Sequence, residues 1–309
     1  MQLYWRKKVL VAALEDTYGV DAGPGAGNAL HCINVGIRPM EGQDVDRGHD
    51  TPWLGASGTI PADLHMVMTF TVELVGSGVA GTAPQFAPVL RSLGLAETIT
   101  ANTSVQYNPI SGGFDSATYH LNIDGILFAL VGARGDANVV VNASGIPMLE
   151  CTVTGLWTKP TDQVAVTPNL SGLQKPQVAS KANTPTFTIN GTPHEMRSFT
   201  LAMGNEVEGR FLVGKDEIVI VDRSDSVTTQ IEADALSTLD PFALARDQET
   251  VALALNHGTA DGRRVAFAVP AAQVMRPGAP TEAQGIMEWP LNLRPLPVTG
   301  NDQWTLTFT

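Results

Sequence analysis

Gly76-Ser77-Gly78-Val79-Ala80-Gly81 has the spacing of a glycine-rich phosphate-binding turn, set after a strand and before a helix, with Glu97 near the distance of a ribose-binding acid. Such a site needs a first strand buried on both faces of a parallel sheet. Here Thr69, Thr71 and Glu73 alternate with apolar residues, so the strand is half-exposed. A hairpin follows, where a dinucleotide fold would place a second strand–helix crossover. The glycines therefore read as a flexible strand-to-helix turn.

The other groups with chemical potential are more isolated. His31-Cys32 is the one His/Cys neighbour pair, and no two further ligands stand at metal-site spacing. His49-Asp50 lies among turn formers in a solvated loop over 40–58. The serine-hydrolase GxSxG, the zinc-binding HExxH and the Walker-type loop are missing. Asn102, Asn142, Asn169 and Asn190 begin Asn-x-Ser/Thr triplets, which chance supplies in a chain rich in Ser and Thr. The reading is of a non-enzymatic chain that calls for no metal and no cofactor. What remains is a set of acids on strand faces, Glu73, Glu232 and Asp234, all expected to point away from the apolar side.

Elements able to position those acids are strands. Thirty glycines and twenty prolines punctuate short runs of Val, Ile, Thr and Phe, and long helical periodicity is nearly absent, so the fold class is mainly β. Residues 65–75 alternate cleanly, with Met66, Met68, Phe70, Val72 and Leu74 on one face. The best helix covers 84–93, with Phe86, Val89, Leu90 and Leu93 at helical spacing and Gly94 as its C-terminal stop. Residues 117–123 lead into Asp124-Gly125, a strong hairpin signal, and 126–131 return. Residues 139–141 and 148–157 add further strands.

From 159 to 185 the composition turns to Pro, Thr, Ser, Gln and Lys, which divides the chain into a first domain over 1–160, an arm over 161–185 and a second domain over 186–309. The second domain repeats the element order: a strand over 226–236, a short helix over 241–245, a hairpin over 249–269 and a long strand region over 285–298. The best matches set 69–75 against 229–235, 87–94 against 242–246 and 116–132 against 250–269. A divergent duplication is expected, with one short helix in each copy.

Charge and cysteine usage narrow the partners. The net charge of −12 is shared by both halves, so no basic field exists to hold nucleic acid tightly. Cys32 and Cys151 read as isolated reduced thiols. Arg6-Lys7-Lys8 and the apolar run 9–14 resemble an export leader, but Glu15 and Asp16 cut the run short, so neither export nor membrane insertion is expected.

At this level of detail the chain resembles the major tail tube proteins of long-tailed siphophages. The resemblance rests on the opening stretch from Trp5 through Arg6-Lys7-Lys8 to Glu15, on Thr17-Tyr18-Gly19-Val20-Asp21, and on 70–78 leading to Gly81-Thr82-Ala83-Pro84. Tyr107-Asn108-Pro109, Asp124-Gly125 and Gly132-Ala133-Arg134-Gly135 extend it over most of the first half. The second half joins chiefly through its repeated order and its Gly300-Asn301-Asp302 ending.

The resemblance implies two β-sheets with a helix alongside, the inner sheet joining neighbours into a continuous barrel. It implies a virion protein assembled in the host cytoplasm, self-associating into stacked rings, meeting a tape measure and tail-tip or terminator proteins, and passing double-stranded DNA without binding it. With two similar domains per chain, three chains would complete a pseudo-sixfold ring, and a homohexamer with outer second domains is the alternative. Glu73, Glu232 and Asp234 would then line an acidic lumen. The competing reading is a tail-tip or carbohydrate-binding β-sandwich, disfavoured because Trp5, Trp53, Trp157, Trp289 and Trp304 are scattered singly. The loops at 16–27, 40–58 and 159–185 are long for idle connections, and some of them are expected to become ordered only between rings or subunits.

Overall fold

Period-two alternation governs most of the chain, and the computed structural model, which describes residues 2–309, contains 21 strands and two short α-helices among them. The first half opens with β1 (Lys8–Leu14), β2 (Ala29–Leu30), β3 (Cys32–Asp46) and β4 (Thr59–Glu73). Helix α1 (Ala87–Ser92), β5 (Leu95–Thr100), β6 (Ser104–Pro109), β7 (Ala117–Ile123), β8 (Ile126–Asn142), β9 (Met148–Leu156) and β10 (Thr161–Asp162) follow. The second half comprises β11 (Thr186–Ile189), β12 (Thr192–Pro193), β13 (Met196–Ala202), β14 (Asn205–Leu212), β15 (Lys215–Arg223) and β16 (Ser226–Glu232). It closes with α2 (Pro241–Arg246), β17 (Thr250–His257), β18 (Val265–Val274), β19 (Thr281–Ala283), β20 (Ile286–Pro295) and β21 (Thr305–Phe308).

Local chemistry sets the boundaries. Asp124 and Gly125 both have positive φ, 46° and 104°, so the β7–β8 turn has the twist a two-residue hairpin requires. Helix α1 is shorter than its apolar spacing predicts, because residues 84–87 form a turn first, closed by the Ala87 amide on the Pro84 carbonyl at 2.9 Å. Gly94, at φ +75°, ends that segment as expected. The separate strands expected over 126–131 and 139–141 are one strand of 17 residues, β8. A bulge between Val131 and Arg134, with Gly132 at φ +61°, lets it leave β7 and join β9 without breaking.

Strand β16 stops at Glu232, short of the expected 236, and Asp240 caps α2 by accepting from the Phe242 and Ala243 amides. The segment 159–185 is irregular apart from β10, yet Ala179 is buried and exchanges backbone bonds with Ser144 and Gly145.

The two halves repeat one topology. The antiparallel pairs β1–β2, β1–β7, β7–β8, β8–β9, β8–β10, β4–β9 and β3–β4 recur as β11–β12, β11–β17, β17–β18, β18–β20, β18–β21, β16–β20 and β13–β16. The hairpin β5–β6 is the first half's own addition and pairs with β21 of the second. A second junction joins β8 to β13, from Ser198 opposite Asn142 to Ala202 opposite Asn138. One sheet therefore runs β3–β4–β9–β8–β13–β16–β20 through both halves.

Its inner side chains, including Met66, Met68, Phe70, Leu149, Val153, Phe199, Leu201 and Ile231, belong to one continuous apolar cluster with Trp304 and Leu306. Each fully buried Leu or Phe in such a cluster contributes roughly 1.5–3 kcal/mol.

Candidate assembly surfaces

The sheet that spans both halves has a second, polar face. Leu149, Cys151 and Val153 of β9 point into the core, so Glu150 and Thr152 point out. On β16, Val227, Thr229 and Ile231 point in, leaving Thr228, Gln230 and Glu232 outside. Two equivalent backbone bonds fix the match between halves: the Leu74 amide donates to the Pro147 carbonyl at 2.9 Å and the Ala233 amide to the Met287 carbonyl at 3.0 Å. Glu73 and Glu232 thus occupy corresponding positions. Phe70 corresponds to Thr229, so the sequence match of 69–75 with 229–235 is one residue out of register, a slip that would turn every side chain to the wrong face.

Asp234 is not on the strand face expected for it. It lies beyond the end of β16, its carboxylate 2.7 Å from Nδ1 of the buried His194. Glu150 shares the polar face, where alternation between the buried Leu149 and Cys151 puts it. Across three strands on the same face, Arg197 on β13 reaches Glu288 on β20 with contacts of 2.6 and 2.9 Å, and Gln230 on β16 also donates to Glu288. The Arg197 guanidinium holds the Glu288 carboxyl below the usual carboxylate range. Arg294 lies on this face outside any ion pair among the described residues, as do Glu73, Glu150 and Glu232.

The hairpin β14–β15 leaves the sheet after Gly204 and straps the first half where β8 bends. Arg134 donates from Nη1 to the Ile218 carbonyl at 2.6 Å and from Nη2 to the Phe114 carbonyl at 3.0 Å. The buried Asn205 amide group reaches the Leu93 and Gly135 carbonyls at 2.8 and 2.9 Å, and Arg223 reaches the Gly94 carbonyl at 3.0 Å. The Tyr18 hydroxyl accepts from the Ile218 amide at 2.6 Å, and Phe211 stacks on His65. The corresponding hairpin of the first half, β3–β4, extends into solvent, with Val45, Trp53, Leu54 and Ile60 exposed along it.

The glycine pattern proves to be a backbone crossing. The Gly78 amide donates to the Gly262 carbonyl at 2.9 Å, and a Cβ on Gly76 would lie 2.2 Å from that oxygen. Gly81, at φ +71°, packs against the Asn102 amide. Glu97 sits away from this loop on β5 and accepts from the Tyr107 hydroxyl at 2.5 Å. His31 is exposed, while burial pushes the Cys32 thiol up, and both cysteines are free. His49 and Asp50 lie in the exposed turn between β3 and β4. Among the described residues no cluster of His, Cys, Asp and Glu is placed to hold a metal ion, and no helix is long and apolar enough to cross a membrane.

These surfaces hold two free strand edges at opposite ends of one sheet, a polar face and a projecting hairpin, a set suited to building with copies of itself. A family model described as phage tail tube protein matches residues 5–301. No curated protein matches the chain.

Proposed function

The chain belongs to the phage tail tube protein family, and on that premise we propose that three copies close into a ring of six similar units that stacks into the conduit for phage DNA. A structural tail subunit that self-assembles is what the family implies. The ring count rests on one observation above all: β8 and β13 pair edge to edge, so the two halves stand side by side in a single sheet. A second half hung on the outside of a hexameric tube would not need that junction. Repeating it between copies removes the free edges and converts the open sheet into a barrel. The 1–160 and 186–309 units are then successive members of the ring, joined by the 161–185 arm.

The polar face of the sheet becomes the channel wall. Glu73, Glu150 and Glu232 outnumber the free guanidinium of Arg294 there, and Asp234 sits at the rim beside His194. A mildly acidic wall repels phosphates, so duplex DNA slides without adhering. Assembly in the host cytoplasm, with tape measure and tail-tip or terminator proteins, completes the reading. One experiment tests both parts. Concentrated protein should form tubes in electron micrographs; wild-type tubes should not retain duplex DNA, whereas tubes carrying Glu73→Lys and Glu232→Lys should retain it at low salt. Dispersed monomers at every concentration contradict the tube, and equal DNA retention by the two kinds of tube contradicts the lumen.

A further inference from the structure

We infer that the free edge of β3 in one copy pairs antiparallel with the segment around β19 of the next, with Arg38 opposite Ala279, Gly36 opposite Thr281 and Ile33 opposite Ala283. This rests on the ring reading above and adds to it a specific pair of edges and a register.

The derivation uses only the internal repeat. Glu73 and Glu232 correspond, and so do their cross-strand partners Met148 and Glu288. Met148 faces Val140 on β8, while Glu288 faces Thr281 on β19, so Thr281 stands where Val140 does and Ala279 where Asn138 does. On the other side, Thr69 faces Gly36 and its counterpart Thr228 faces Thr200. Val67 faces Arg38 and its counterpart Ser226 faces Ala202. Thr71 faces Ile33, and its counterpart Gln230 faces Ser198. Inside the chain, Thr200 pairs with Val140, Ala202 with Asn138 and Ser198 with Asn142. Substituting each residue by its counterpart gives the stated register between copies.

Both edges lack a strand partner and have exposed apolar residues beside them, and on β3 the Val35 carbonyl accepts from the Lys8 ammonium at 2.6 Å. Among the described residues β3 pairs only with β4, and β19 only with β20. Ile33 is 45% and Met40 53% exposed beside the first edge; Ile286 and Met287 are each 48% exposed beside the second. Pro147, the counterpart of Met287, is buried within the chain. A strand edge with unpaired backbone groups and exposed apolar side chains beside it is a template for another strand. Pro280 takes the place of Val139 and lacks its N–H, so the junction between copies has one backbone donor fewer than the junction within a chain.

The test is disulfide trapping in assembled tubes of the full chain. The Met203 amide donates to the Ala137 carbonyl and the Ala143 amide to the Arg197 carbonyl. By the alternation of antiparallel ladders, the polar-face pairs between them are the closely spaced, non-hydrogen-bonded ones, within disulfide reach. Tubes carrying Arg38→Cys with Ala279→Cys, or Ile33→Cys with Ala283→Cys, should give covalent dimers and trimers on mild oxidation. The crossed combination Arg38→Cys with Ala283→Cys should stay monomeric, and Ala202→Cys with Asn138→Cys should close within one chain. Tubes in which neither matched pair cross-links, or the crossed pair cross-links as well as they do, overturn the register and leave the tube standing. Wild-type protein that forms no tubes overturns the ring reading and this inference with it.

Discussion

Arg134 is 8% exposed, and its guanidinium satisfies carbonyls of two separate segments, Phe114 and Ile218, and contacts Glu217 at 3.3 Å. Arg134→Met keeps much of the stem but leaves both carbonyl acceptors without their donor, while Glu217 keeps its ion pair with Lys215. It should cost roughly 2–4 kcal/mol in urea unfolding. A variant as stable as the wild type would mean that β14–β15 is held by other contacts. Arg197 and Glu288 give a pH signature. The folded-state pKa of Glu288 lies below its unfolded value, so its contribution is present above the unfolded value and is lost as pH falls through the folded one. Glu288→Gln should therefore melt below the wild type near neutral pH, and the gap should close on acidification. A gap that stays constant would exclude the ion pair as its source. Asp225 has the opposite sign: burial raises its pKa although Trp304 Nε1 donates to it at 2.8 Å, so its ionisation costs stability as pH rises.

Among elements, the loop crossing at Gly76, Gly78 and Gly262 depends on having no side chains. Gly262 has φ +77°, and a Cβ there would lie 2.2 Å from the Gly78 carbonyl carbon. Gly262→Ala should destabilise by about 2 kcal/mol or more, through both strain and overlap. An unchanged denaturation midpoint would show that the two loops separate freely. The same crossing explains what could be read in advance. Alternation over 65–75 and Asp124-Gly125 report on local geometry, so β4 and the β7–β8 hairpin were legible. The reason for the glycines was not, because their contact is with a loop more than 180 residues away. Length is not legible where tertiary pairing decides it: β8 continues through its bulge because β9 and β13 take over as partners, and β16 stops where Ala233 turns to the Met287 carbonyl. On the polar face, Glu73 and Glu232 were found by parity, whereas Asp234 was lost to His194.

At the scale of the whole molecule, the proposed ring rests on the topology that the two halves share. Seven strand pairings recur between the halves, and the in-chain junction offers a pattern that a second copy can repeat. Interfaces of this head-to-tail kind close into a ring only when successive rotations complete a circle, and otherwise run on as a helix. The ring reading requires closure after six units. Each chain then uses its β14–β15 strap internally and presents β3–β4 outward, so the exposed apolar residues Val45, Trp53, Leu54 and Ile60 are expected to be covered in the assembled tube. The most direct test is cryo-electron microscopy of assembled tubes with the rotational symmetry of one ring determined from the images. Threefold symmetry with six similar lobes around the channel, each chain contributing two neighbouring lobes, is the predicted result. A sixfold ring whose second halves sit on the outer surface would contradict it.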